Sequence, residues 1–305
     1  MSKHFSLRPA TDSDTPAVFR LFLRSVRDLA FRQGTRLVND GHDPEVIDTI
    51  WPQRQPMFEH LAQTAHRFWV AEHDGEILGY ARSILRDGML ELTEFFVAPE
   101  AQSGGMGREL LRHVFTAGDA RIRSIIASTD VRAQARYLKT GVYPQFPIYH
   151  FSRKPAEFHM DSGLRFELMS NSDSTLHILG DLDAAVLGYR RDVDHRWFLG
   201  NRSGFLAYRG DQPVGYGYVS RGYGSGPFAL LDADHYPPML AHAETLAASS
   251  GLEEFVLHVP MVNRAAVDYL LGTGYRLDPS FMFFMSDADV GLMDRYLITS
   301  PPFFM

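Results

Sequence analysis

Leu92-Thr-Glu-Phe-Phe-Val-Ala-Pro-Glu-Ala-Gln102-Ser-Gly-Gly105-Met-Gly107-Arg-Glu-Leu-Leu111 reads as an apolar strand, a Pro-containing turn, a glycine-rich loop and the start of a helix. Glycines at a strand-to-helix turn let backbone N–H groups approach an anion without interference from Cβ atoms. The helix start adds unpaired N–H donors and the positive end of the helix dipole. The stretch therefore predicts a phosphate-bearing ligand. A P-loop would close on Gly-Lys-Ser/Thr, whereas Gly107 is followed by Arg108 and Glu109. A dinucleotide fingerprint would need a third glycine where Leu110 stands. The spacing that fits is Gln-x-x-Gly-x-Gly over Gln102, Gly105 and Gly107. The competing reading is an ordinary surface turn that caps a helix.

A second segment follows. Ile122-Arg-Ser-Ile-Ile-Ala127 is a short apolar run suited to a buried strand. It leads into Asp130-x-x-Ala133-x-x-x-Tyr137-x-x-x-Gly141-Val142, a helix ending at a glycine C′ position. Together the two segments resemble the GNAT superfamily of N-acetyltransferases, whose loop pattern is Gln or Arg, two residues, Gly, one residue, Gly or Ala. The second pattern in that family is Asn-x-x-Ala-x-x-x-Tyr-x-x-x-Gly-Phe. The resemblance implies acetyl-CoA as acyl donor, with Gln102, Ser103, Gly104, Gly105, Met106, Gly107 and Arg108 holding its pyrophosphate. It implies backbone N–H groups near Phe96 and Val97 polarising the thioester carbonyl. Tyr137 would protonate the departing thiolate, and Glu94 would serve as general base, directly or through water. Asp130 stands where the family usually has Asn, which puts a CoA contact from that side chain in doubt.

The residues themselves say something about Glu94. Leu92 and Phe96 share its face by period-two alternation, so that face is partly buried, and a carboxylate there tends toward a raised pKa. An outward-facing strand residue is the alternative. A lone tyrosine on an amphipathic helix is ordinarily a core residue, so the case for Tyr137 rests on the joint spacing.

At 305 residues the chain suits two domains, and 45% hydrophobic content is ample for packed cores. A formal net charge of -7 without a compensating basic stripe argues against a nucleic-acid partner. The absence of cysteine excludes disulfides, thiolate metal sites and a cysteine nucleophile. The thirteen histidines include no His-Glu-x-x-His, and the pairs His60/His66 and His235/His242 do not make a metal site, so no metal is expected. No apolar run has the length of a signal peptide or a membrane span, so the expectation is a cytoplasmic protein without a membrane partner.

The pattern of elements in the first half is strand, two helices, a hairpin at Asp74-Gly75, a strand carrying Glu94, helix, strand, helix, and a last strand near Ile148 to Ser152. This predicts an α/β class with a mixed sheet, α+β in layout. The pattern then returns. Trp69-Val-Ala71 and Leu78-Gly79-Tyr80 match Phe205-Leu-Ala207 and Val214-Gly215-Tyr216 at a constant offset, while Asp130, Ala133 and Gly141 match Asn263, Ala266 and Gly274. Two GNAT-like acyl-CoA N-acyltransferase domains in tandem are the expectation: a catalytic N-terminal copy over 1–155 and a degenerate copy over 163–305. The seam would fall in the polar stretch Arg153 to Gly163. Where the second copy should carry its loop stand Asp232, Asp234 and Pro237-Pro238, and its tyrosine position is Leu270.

The expected reaction moves an acetyl group to the primary amine of a small molecule or peptide. Trp51, Phe58, Tyr143 and Phe146 are candidates for the acceptor wall or for core. A non-catalytic acyl-CoA sensor and a scaffold built on the duplicated fold are the rival classes. The apolar end Tyr296 to Met305 packs on its own domain or across a homodimer, so the chain is expected to be a monomer or a homodimer.

Overall fold

The computed structural model describes residues 5–34, 44–102, 104–222 and 224–299. The chain divides into two compact units, residues 1–125 with 130–142 and residues 126–129 with 143–305.

The first unit opens with β1 (Ser6–Pro9), a 3-10 turn at Asp12–Asp14 and α1 (Thr15–Gln33). Asp14 closes the turn by accepting from the Thr11 amide at 2.8 Å and from Arg8 at 2.7 and 2.9 Å. Helix α2 (Pro44–Gln63) follows, and then β2 (Arg67–His73), β3 (Glu76–Arg86) and β4 (Met89–Val97). Both connections between these strands are Asp-Gly pairs with positive φ at both residues, 51° and 80° at Asp74 and Gly75, 42° and 84° at Asp87 and Gly88. That is the primed turn whose twist matches a hairpin. After α3 (Met106–Val114) come β5 (Ile122–Ala127) and α4 (Val131–Lys139).

Strands β1 to β4 pair antiparallel in sequence order. Strand β5 pairs parallel with β4 only from Met89↔Ile122 to Leu92↔Ile125. At that point β4 bulges. Arg82 faces Glu94 and Ser83 faces Leu92, which leaves Thr93 as the extra residue, its hydroxyl donating to the Arg82 carbonyl at 3.1 Å. A bulge bends its strand and ends local pairing, and residues 93–97 of β4 continue with a partner on the β3 side alone.

The second unit repeats the order. Strand β7 (Arg165–Leu168), α5 (Asp173–Val186), α6 (Asp192–Asn201), β8 (Ser203–Arg209), β9 (Gln212–Val219) and β10 (Phe228–Leu230) precede α7 (Tyr236–Ser249), β11 (Phe255–Pro260), α8 (Arg264–Gly272) and β12 (Arg276–Ser286). A short β13 (Tyr296–Leu297) pairs with β10, giving an antiparallel sheet ordered β13-β10-β9-β8-β7. The duplication extends to irregularities. The β2–β3 ladder shifts between Ala71 and Glu72, and the β8–β9 ladder shifts between Ala207 and Tyr208. Helices α4 and α8 are capped by the side chains of Asp130 and Asn263 and followed by left-handed Gly141 and Gly274.

Strand β6 (Tyr143–Arg153) departs from the expected seam. It was to finish the first copy, yet it pairs antiparallel with both β11 and β12 and lies in the second unit. Hydrophobic periodicity assigns a strand a buried face, and it carries no information about which neighbour completes the ladder. The polar stretch after β6 is also fastened to the second unit, since Glu244 accepts from Arg153 and from the Ala156 amide at 3.0 Å. Tyr296 to Ile298 are buried, with 0–1% exposure, and residues 300–305 lie outside the described part.

Candidate functional site

Strand β4 ends at Val97, and the chain turns through a 3-10 segment at Pro99–Ala101. Gln102 folds its side chain back to donate to the Val97 carbonyl at 3.2 Å, which ties the loop to the strand end. Ser103 lies outside the described residues. Gly105 caps α3 with φ 89°, a left-handed conformation that disfavours side chains. Gly107 has a different reason. A Cβ there would lie 2.8 Å from Phe95 Cζ, so the helix start packs directly on β4. Among the described residues the amides of Gly104, Gly105, Met106 and Gly107 donate to no carbonyl, while Arg108 and Glu109 bond back to Gly105. Four amides without a carbonyl partner among the described residues thus lie at the start of α3, the positive end of its dipole.

A residue that sequence reading passed over adds charge here. Arg136 Nε lies 3.6 Å from the position a Gly107 Cβ would take, and Arg136 has no ion-pair partner among the described residues. Its only sequence signal was adjacency to Tyr137. Arg108 is exposed and leans on Glu109 at 3.0 Å.

Tyr137 is buried, its ring edge-on to Phe95 with centroids 6.0 Å apart. Phe95 belongs to the part of β4 that lacks a β5 partner, so the tyrosine sits where the two strands part. Burial, and secondarily the charge of Asp130, push its hydroxyl pKa up and keep it protonated. Among the described residues the hydrogen bond recorded at Tyr137 goes to its backbone carbonyl, from the Thr140 hydroxyl at 2.7 Å, and none reaches its side-chain hydroxyl.

Glu94 is placed differently from Tyr137. Its neighbours are Tyr80, which donates to it at 3.1 Å, and Arg82, which forms an ion pair with it; Arg82 also donates to the Phe58 carbonyl of α2 at 3.0 Å. Phe96 shares this side, 5.6 Å from Tyr80 and 5.3 Å from Phe22 of α1. Phe95, Gly107 and Tyr137 occupy the other face of β4. The sequence expectation that Leu92 and Glu94 share a face fails at the Thr93 bulge, which breaks the alternation. Burial pushes the Glu94 carboxyl above its ordinary value while Arg82 pulls it back. Both oxygens are engaged by partners on its own strand pair, so direct base work would require opening a buried ion pair.

The expected wall residues divide likewise. Phe58 is core, in an aromatic cluster with Phe19, Phe22 and Trp51. Tyr143 is exposed, and Phe146 stacks on Phe284 within the second unit. A cavity of about 580 Å³ in the first unit is lined by Arg8, Arg20, Arg24, Asp74 and Glu76, and it includes neither Tyr137 nor the glycine loop.

The second copy has a different helix start. Asp232 caps the turn before α7 by accepting from Asp234, and Pro237 and Pro238 remove two amide donors from the first helical turn. Leu270, at the tyrosine position, is fully buried. Among the described residues no group of three metal-ligating side chains occurs, and no helix is long and apolar enough to cross a membrane.

Residues 25–142 match the model of the Acetyltransferase (GNAT) family. No curated protein sequence matches the chain. Among solved structures, a candidate acetyltransferase from Pyrococcus horikoshii aligns with a TM-score of 0.70 at 14% identity, covering 96% of this chain and 92% of that one. A GCN5-related N-acetyltransferase from Sphaerobacter thermophilus aligns at 0.58 and 16%, covering 92% and 95%. A tandem GNAT protein from the clavulanic acid biosynthesis pathway aligns at 0.56 and 14%, covering 93% and 98%. At these identities the likeness concerns the fold.

Proposed function

We propose, starting from a tandem GNAT-fold chain whose first copy matches the acetyltransferase family, that the protein is an acetyl-CoA-dependent N-acetyltransferase acting on a primary amine. GNAT proteins transfer acyl groups, and the finer assignment is ours. The observation that carries it is Tyr137, a buried side chain whose hydroxyl is held protonated and has no hydrogen-bond partner among the described residues, beside the parted end of β4. A hydroxyl in that state is suited to donate a proton to an incoming group.

The free amides of residues 104–107 and the Arg136 guanidinium support a pyrophosphate cradle, with Gln102 fixing the loop. Backbone groups near Phe96 and Val97, on the part of β4 without a β5 partner, support polarisation of the thioester carbonyl. The ammonium first loses one proton to water. The amine lone pair then attacks the acetyl carbon, the nitrogen gives its second proton to water, the carbon–sulfur bond breaks, and the thiolate takes the Tyr137 proton. The tyrosinate recovers a proton from solvent, so the products are amide, CoA and one proton. Glu94, engaged by Arg82 and Tyr80, has a positioning role in this reading, and water serves as base. The second copy binds no acyl-CoA, because its carboxylates and prolines oppose an anion at α7.

Titration of acetyl-CoA into the intact chain in a calorimeter tests the proposal. One site per chain is the expected result, and released CoA can be read by its thiol because the protein has none. Two sites would overturn the silent second copy, and no binding would overturn the acetyltransferase assignment in favour of a scaffold.

A further inference from the structure

We infer that Asp130 selects the acceptor: it draws in amines that arrive as ammonium ions by exchanging its ion pair with Arg32 for one with the substrate. This rests on the acetyltransferase reading above and names the substrate class. Asp130 is the N-cap of α4, the helix that carries Tyr137. Seven residues are two helical turns, so the two side chains share a face, and the tyrosine leans back toward the helix N-terminus. The charge of Asp130 reaches the Tyr137 hydroxyl. An amine attacking a carbonyl whose sulfur lies at Tyr137 must therefore enter the same field.

Asp130 is equipped to stay ionised. Its side chain is 14% exposed and accepts from the Arg132 amide at 2.8 Å, with Arg132 Nε at 3.6 Å and Arg32 at 3.0 Å. Burial opposes the charge, and these partners outweigh it. The Arg32 contact comes from the last turn of α1, across 98 residues of sequence. Arg32 also bonds Asp28 at 2.8 Å on its own helix. A substrate ammonium can take its place at Asp130 while Arg32 keeps Asp28, so the exchange strands no charge. Phe31 and Val131, each next in sequence to one partner of the pair, are 85% and 74% exposed. They suit an ammonium attached to an apolar body.

The test uses two isomers, benzylamine and 4-methylaniline, which have the same atoms. The first is an ammonium at neutral pH and the second is neutral. Dissociation constants are measured by ligand-observed NMR on the full chain saturated with CoA, for the wild type, Asp130→Asn and Arg32→Gln. Asn is as good an N-cap as Asp, so α4 keeps its start. The wild type is expected to prefer benzylamine, and Asp130→Asn to weaken benzylamine by about 10-fold or more with 4-methylaniline unchanged. Arg32→Gln removes the competitor and is expected to tighten benzylamine, a sign that structural damage would not produce. Equal affinities for the isomers in the wild type, the same preference in Asp130→Asn, weaker benzylamine in Arg32→Gln, or no binding of either amine would each overturn the inference. Acetyl-CoA binding, measured in parallel, separates these results from failure of the acetyltransferase reading itself.

Discussion

Glu94→Gln separates a catalytic base from a positioning residue. The substitution keeps the side-chain size and removes the charge opposite Arg82. Both side chains are 0% exposed. Arg82 would keep the Phe58 carbonyl at 3.0 Å and the ring faces of Phe58 and Phe68 at 5.5 and 4.9 Å, none of which carries a negative charge. Breaking a buried pair by removing one partner costs about 3–5 kcal/mol, because the remaining charge is uncompensated. The glutamine carbonyl still accepts one hydrogen bond, so the low end, about 3 kcal/mol, is expected. Urea unfolding followed by tryptophan fluorescence reads this as a lowered midpoint for the first unit. The double variant Arg82→Met/Glu94→Leu should be less destabilised than Glu94→Gln, since an apolar pair leaves no stranded charge. Turnover is measured well below the unfolding midpoint. A positioning role predicts that the acid limb of the pH–rate profile survives in Glu94→Gln. A loss below about 1 kcal/mol, or a vanished acid limb with turnover down about 10²–10⁴-fold, would refute the reasoning and restore Glu94 as base.

Tyr137→Phe should lower kcat by about 10²-fold, the low end for a lost general acid, while calorimetric acetyl-CoA affinity stays unchanged. Gly107→Ala places a methyl 2.8 Å from the Phe95 ring. Overpacking of about 1–3 kcal/mol and weaker acetyl-CoA binding are expected in thermal unfolding and calorimetry. At Asp14, hydrogen bonds from Arg8 hold the carboxyl down to about 2 from 3.8. A lowered folded pKa stabilises above the unfolded value and the gain is lost as pH falls from about 4 to 2. The exposure of Arg8, 37%, reduces the contribution to about 1 kcal/mol. Asp14→Asn should lose that amount at pH 7 and show a flatter stability curve across this pH window.

Much of the first copy was legible because its signals are local. Asp74-Gly75 and Asp87-Gly88 specify their turns by residue type, and the Gln102 to Gly107 spacing specifies a loop whose glycines are needed for conformation at 105 and for packing at 107. Tyr137 was singled out by spacing alone, and its side chain meets Phe95 across the chain. The failures concern register and partners. Thr93 gives no sign of a bulge, so Glu94 was assigned to a face by an alternation the backbone interrupts. Arg82 carries no local signal of its role, because its carboxylate partner lies on the next strand. Arg136 owes its place to the way α4 approaches α3. The pairing of β6 with β11 and β12 depends on contacts more than 100 residues away in sequence.

The duplication bears on the role of Glu94. In the first copy, Tyr80 on β3 donates to Glu94, which is paired with Arg82. Tyr216, the match of Tyr80 in the repeat, lies on β9 and donates to the buried Asp183 of α5. Asp183 accepts from Arg191 at 2.8 Å and contacts His195 at 2.8 Å, and these neighbours outweigh burial and hold its carboxyl below the ordinary range. The second copy therefore rebuilds a tyrosine–carboxylate–arginine cluster from different elements, its β10 being only three residues long. It does so without the glycine loop and without a tyrosine at 270. A cluster maintained where the other chemical signals are missing serves the packing of helices on the sheet, and Glu94 inherits that explanation. Asp183→Asn should accordingly cost about 3 kcal/mol in the second unit, as Glu94→Gln does in the first, with acetyl-CoA binding intact. If Asp183→Asn were neutral while Glu94→Gln was costly, the parallel would fail, and Glu94 would need a reason of its own.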